Sequence, residues 1–303
     1  MITSTKLSGF VDRLTGDKRP ITADVFLTDY CNNKCGYCRY NNRSGEYMKA
    51  DTFSAILDRL LALGVKGVIL TGGGEPTINP DFDIIRRDLE RRGIPYGVNT
   101  NFNKFVYCAP VFLKVSIDAG TAAEYEKMRG VDRLEVVLNN IRRYAEYIRH
   151  IGAKTRIGVQ CVTTSMEQVT AFYEKVKNLD VDYIQFRPVE QRGEPKDYSG
   201  IVAAIEKLQN DQRVYKSFKY DSVGWVPEKC WANWAAICVN AQGNVLYCCH
   251  RPDEEIGSIF DEDILEKLQA YEPDMSLCES PCRLSGANRF VEQTDIPRDI
   301  FFV

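Results

Sequence analysis

Three cysteines fall within eight residues, Cys31-Asn-Asn-Lys-Cys35-Gly-Tyr-Cys38, directly after the apolar stretch Val25–Thr28. A structural zinc site closes with four ligands. Three thiolates on one loop therefore suit a [4Fe–4S] cluster better, with one iron left open to a small molecule. A zinc knuckle with a distant fourth ligand is the competing reading. A second apolar run, Gly67-Val-Ile-Leu-Thr, ends in Gly72-Gly73-Gly74-Glu75-Pro76. Glycines lack Cβ and let a backbone approach a ligand closely. No Gly-Lys-Ser/Thr follows them, which argues against a nucleotide triphosphate loop.

These two loops sit in a repeating pattern. Short apolar strands are expected at Asp24–Thr28, Gly67–Thr71, Tyr96–Asn99, Leu113–Ile117, Arg156–Val162 and Tyr183–Arg187. Helices are expected between them at Thr52–Leu63, Asp81–Arg92, Leu134–Ile151 and Met166–Asn178. Leu134, Val137, Leu138, Ile141, Tyr144, Ala145 and Ile148 recur at helical spacing. Alternating units of this kind predict an α/β fold, either a parallel barrel or a doubly wound sheet. Both loops would then lie at the C-terminal ends of strands, where such barrels carry their sites.

The cysteine spacing, with Tyr37 just before the last cysteine and the Gly-Gly-Glu turn one β/α unit later, resembles the signature of the radical S-adenosylmethionine (SAM) superfamily. The resemblance implies a partial (β/α)6 barrel over roughly residues 21–190 and a [4Fe–4S] cluster on Cys31, Cys35 and Cys38 that binds SAM. It further implies that Tyr37 approaches the adenine, while Gly73, Gly74 and Glu75 hold the methionine amino group. Ser116 and Arg129 would meet the SAM carboxylate, Asn99 a polar atom of SAM or substrate, and Gln160 the ribose.

Eleven cysteines is an odd number for a disulfide framework. No export signal or 18-residue apolar run accompanies them, so reduced thiols, a cytoplasmic location and no membrane span are expected. A net charge of −3 argues against a nucleic-acid partner. After residues 1–190, a polar linker is expected over 191–229, with a helix at Ser199–Asn210, and a cysteine-rich domain over 230–303. That last region holds an expected hairpin, Ala235–Val239 and Val245–Cys249, around a Gln-Gly-Asn turn. The Cys-Trp, Ile-Cys-Val, Gly-Asn-Val and Cys-Cys-His block resembles the twitch/SPASM extension of radical SAM enzymes. One auxiliary [4Fe–4S] cluster on Cys230, Cys248, Cys278 and Cys282 is the implied set, against a zinc ribbon. Cys161 and Cys238 read as core filling, and Cys108 sits in a loop. Cys249 is left over, and as Cys248's neighbour it should face the other way.

The cofactor would generate a radical that takes hydrogen from an unactivated C–H bond, and the protein would decide the outcome. A spare thiol at Cys249 points to an epimerase that returns hydrogen from the opposite face. The pattern resembles the radical SAM epimerases that tailor aminoglycosides, which implies inversion of one carbon in a terminal diamino sugar, neomycin C to neomycin B. The alternatives are a dehydrogenase of an aminocyclitol or aminoglycoside intermediate and a SPASM peptide maturase. The maturase is disfavoured because no leader-binding region precedes the first strand. A two-cluster electron-transfer protein without SAM is a reading from another class. A polycationic substrate should meet carboxylates, for which Asp24, Glu46, Glu190, Asp221 and Glu228 are candidates. Flavodoxin or ferredoxin is the expected reductant.

Overall fold

The computed structural model describes residues 19–40, 45–191, 196–230 and 233–294. The segment expected to lack a signal peptide lies, up to residue 18, outside the described residues. Strands β1 (Thr22–Phe26), β2 (Gly67–Thr71), β3 (Tyr96–Thr100), β4 (Phe112–Ser116), β5 (Arg156–Thr163) and β6 (Tyr183–Pro188) pair in parallel and in chain order. Helices at Ala50–Ala62, Phe82–Arg91, Leu134–His150 and Met166–Val176 connect them, matching the expected elements to within two residues at most ends. This is the α/β fold with a parallel sheet that the β/α alternation predicted.

Period-two alternation on the strands divides the molecule. On β4, Leu113 and Val115 are fully buried in the core, while Phe112, Lys114 and Ser116 line an interior cleft. β6 repeats this, with Ile184 and Phe186 in the core and Tyr183, Gln185 and Arg187 on the cleft. The helix Leu134–His150 buries the apolar stripe expected of it. Truncating one of its fully buried side chains, such as Leu138→Ala, is expected to cost about 2–5 kcal/mol.

An unforeseen helix, Ala122–Arg129, follows β4. Thr121 accepts a hydrogen bond from the backbone N–H of Glu124 (3.2 Å), whose carboxylate accepts from Gly120 N (3.0 Å). Gly130 ends it at φ 70°. Thr121-Ala-Ala-Glu124 and the following glycine are a capping box and a C-terminal stop legible in the sequence.

The C-terminal half departs further from expectation. Residues 191–229 do more than link: they carry the helix Ser199–Glu206 and a seventh parallel strand, β7 (Val214–Lys216), beside β6. The expected hairpin forms as β8 (Ala236–Val239) and β9 (Asn244–Cys248), with Gly243 at φ 87° in its turn. β8 lies parallel to β1, so the cysteine-rich region continues the barrel's own sheet. β9 then returns as β10 (Arg251–Ser258), leaving Cys249 and His250 as a two-residue turn. A helix at Ser285–Thr294 completes the region. Cys108, Cys161 and Cys238 are all buried.

Candidate active site

The loop after β1 presents three sulfurs in graded exposure, with Cys31 exposed, Cys38 half-buried and Cys35 buried. Each receives an N–H. Asn33 N reaches Cys31 Sγ at 3.4 Å, Tyr40 N reaches Cys38 Sγ at 3.4 Å, and the Arg129 guanidinium reaches Cys35 Sγ at 3.3 Å. N–H donors aimed at sulfur stabilise thiolates. A three-thiolate donor set with its own N–H donors fits a [4Fe–4S] cluster.

The glycine turn is packed against this loop. Gly74 N donates to Thr28 O at 2.8 Å and Glu75 N to Tyr30 O at 2.7 Å. A Cβ on Gly74 would stand 1.8 Å from Tyr30 O, so only glycine permits the approach. The Glu75 carboxylate turns away into the core. It accepts from Thr77 N, Thr77 Oγ1, Thr100 Oγ1 and Asn101 N, fastening the end of β2 to the end of β3. Its side chain is therefore a positioning group, and burial raises its pKa.

Arg129 differs from expectation in the same way. It is buried, paired with Asp118 (2.9 Å) and bonded to Cys35, and does not line the cleft. Asp118 ties this corner together, a residue that sequence reasoning missed although it stands two positions after Ser116. It is fully buried at φ 64°. One carboxylate oxygen accepts from Val162 N at 2.8 Å, and the other accepts the Tyr37 hydroxyl. A non-glycine residue there is uncommon and is held only by surrounding structure. Tyr37 keeps its ring on the cleft while its hydroxyl is fixed.

The cleft occupies about 890 Å³. Of the expected SAM-contacting residues it brings together Tyr37, Asn99, Ser116 and Gln160, with Gly72 from the glycine turn. Gly73, Gly74, Glu75 and Arg129 lie behind its wall. Cys249 lines the same cleft, packed with Phe26, Tyr40, Cys238 and Leu246. A hydrogen bond with Cys248, together with burial, pushes its thiol up to about 12.

Of the five acids expected at the mouth, Asp24 and Glu190 reach the cleft, whereas Glu46, Asp221 and Glu228 are exposed elsewhere. Asp24 is ion-paired with Arg283, and Glu190 with Lys219 and with Arg187 (2.9 Å). Two further residues were not foreseen. His250 Nδ1 lies 3.3 Å from both Glu190 and Glu279, and Glu279 also pairs with Arg39.

Cys230, Cys248 and the Cys278–Cys282 stretch come from three places in the chain. Cys230, Cys248 and Cys282 pack against the main core, away from the cluster of apolar groups around Cys249. Cys230 raises the proton affinity of Cys282, and the Tyr247 hydroxyl is raised by Cys230, Cys278 and Cys248 together. The four sulfurs could hold an auxiliary cluster.

The three-cysteine loop follows the first strand of the parallel sheet, and the glycine turn follows the second. Residues 25–162 match the Radical SAM superfamily model. The chain is 29% identical over 144 residues to a probable GTP 3′,8-cyclase of Thermococcus kodakarensis, covering 43% of this chain and 46% of the cyclase. It is 23% identical over 302 residues to the antilisterial bacteriocin subtilosin biosynthesis protein AlbA of Bacillus subtilis, covering 88% of this chain and 66% of AlbA. The chain thus spans about half of the first relative and just under two thirds of the second. Among solved structures, Streptococcus suis SuiB bound to S-adenosylmethionine superposes with a TM-score of 0.63 at 17% identity, over 84% of this chain and 69% of SuiB. Among the described residues no helix is long and apolar enough to cross a membrane.

Proposed function

We propose that this chain is a radical SAM enzyme that abstracts a hydrogen atom from a C–H bond in the cleft and returns one from the Cys249 thiol, the reaction of an epimerase. The place of Cys249 carries the reading: a thiol on the same cleft as Tyr37, Asn99, Ser116 and Gln160. When bound to its cluster and reduced, SAM supplies the 5′-deoxyadenosyl radical that removes the substrate hydrogen. Asn99, Ser116 and Gln160 offer polar contacts to the cofactor, and Tyr37 offers a ring face. An S–H bond is weaker than the C–H bond it remakes, so transfer from Cys249 to a carbon radical runs downhill. The sulfur then needs one electron and one proton to be restored. Cys230, Cys248, Cys278 and Cys282 would hold an auxiliary cluster that, fed by a reductant such as flavodoxin or ferredoxin, would supply that electron.

The substrate class is drawn from different observations. Among the described acids on the cleft, Asp24, Glu190 and Glu279 each hold a cation already, and Asp182 accepts Ile157 N. That weighs against a polycationic aminoglycoside. The extended match to AlbA supports a peptide better, and with it a second reading, a SPASM-type maturase that crosslinks or oxidises its substrate. An aminoglycoside epimerase is the reading from the cysteine pattern.

The test is turnover in D2O with SAM and a low-potential reductant, offering neomycin C and candidate peptides in parallel. One non-exchangeable deuterium per product, lost in Cys249→Ser while SAM cleavage persists, is expected. A product two mass units lighter and unaffected by Cys249→Ser would establish oxidation instead.

A further inference from the structure

We infer that Arg251 and Asn288 are positioning residues that set the electron affinity of the auxiliary cluster, an inference that rests on the ligand reading Cys230, Cys248, Cys278 and Cys282. Each of those sulfurs accepts an N–H. Two donors are main-chain groups, His250 N to Cys248 Sγ at 3.5 Å and Leu284 N to Cys282 Sγ at 3.2 Å. The other two are side chains: Asn288 Nδ2 reaches Cys230 Sγ at 3.6 Å, and the Arg251 guanidinium reaches Cys278 Sγ at 3.8 Å.

Both side chains are where their chemistry is expensive. Asn288 is 0% exposed and Arg251 is 4% exposed. A buried amide or guanidinium is tolerated when its donors meet acceptors or charge. Arg251 pairs with Glu254 on one side and lies 5.5 Å over the Tyr247 ring. Its Nε is buried and donates to no described group. The four thiolates of a cluster are anionic like the Glu254 carboxylate, which gives this cation a second reason to be buried there. Among the described residues Cys249 accepts no comparable N–H, which favours Cys248 as the ligand.

The first site uses the same device, with the buried Arg129 guanidinium on Cys35. Hydrogen bonds to sulfur and nearby positive charge both favour the state with one more electron, so they raise a cluster's potential. Arg251 acts through charge and N–H together, Asn288 through N–H alone.

The test is an EPR-monitored redox titration of the anaerobically reconstituted full chain, with iron counted on the same samples. Wild type, Arg251→Gln and Asn288→Leu should each hold about eight irons, four for each cluster. The auxiliary signal should shift about tenfold toward the oxidised form in Arg251→Gln, or 59 mV for one electron. Asn288→Leu should shift it by less, Arg251→Lys should restore most of the loss, and the first cluster's midpoint should stay fixed. Unchanged auxiliary midpoints at full iron content would overturn the inference. Wild type holding about four irons would instead remove the auxiliary ligand reading itself. If Arg251→Gln loses its auxiliary iron, Arg251→Lys and Asn288→Leu decide: unmoved midpoints in both overturn it.

Discussion

The two groups of cysteines are built on opposite plans. The first occupies eight consecutive residues on a single loop, held by the ends of β1, β2 and β3 and by the Asp118–Arg129 corner. The second draws on three segments: Cys230 ahead of the β8–β9 hairpin, Cys248 at the end of β9, and Cys278 and Cys282 together beyond β10. A local site depends on backbone fit, whereas an assembled site depends on the fold that gathers it. Damage to the first should therefore be chemical and leave the fold standing. Damage to the second should be felt as stability as well.

Removing one sulfur tests the first half of that contrast most severely. Cys35→Ala should abolish SAM cleavage and lower the iron content by about four per chain, with the thermal midpoint nearly unchanged; a large fall in midpoint would break the comparison. Gly74→Ala attacks the same site through backbone alone. Its Cβ would stand 1.8 Å from Tyr30 O, so the turn must move. Displacement on the order of 1 Å can cost about 100-fold in rate, which initial rates of 5′-deoxyadenosine formation would show. Cys282→Ala should leave SAM cleavage within a few-fold, remove the auxiliary iron and lower the unfolding midpoint, because binding to a site absent from the unfolded chain is folding free energy. Equal stability with and without that iron would mean the fold gathers the four sulfurs unaided. The smallest effect is expected from Tyr37→Phe. It keeps the ring on the cleft and deletes one hydrogen bond to Asp118, worth about 0.5–1.5 kcal/mol, and so up to about tenfold in SAM affinity by titration calorimetry.

The same contrast governs what the sequence made legible. The β/α alternation, the Cys31–Cys38 loop and the glycine turn are local patterns, and each is where the periodicity or spacing placed it. What escaped was non-local. Nothing around Val214 shows that a three-residue strand pairs with β6, and nothing around Ala236 shows that it pairs with β1. Glu75 and Arg129 have side chains suited to a cofactor, yet both face inward because Thr100, Asn101, Asp118 and Cys35, distant in the chain, complete their bonding. His250 and Glu279 meet across 29 residues in the same manner. The helix Ala122–Arg129 is a different kind of miss, since its capping box was present in the sequence.

The pairing of β8 with β1 also bears on how this chain tolerates shortening. β1 is hydrogen-bonded along both sides, to β2 through Thr22–Phe26 and to β8 through Thr22–Val25. Ala235 O additionally accepts from Ile21 N and Thr22 N. A polypeptide cut before residue 236 would turn β1 into a bare, apolar margin, with Ala23 and Val25 beside unpaired backbone groups. Such a fragment, even with all three cysteines of the first loop in place, is expected to self-associate through that margin and precipitate at concentrations where the full chain stays dispersed.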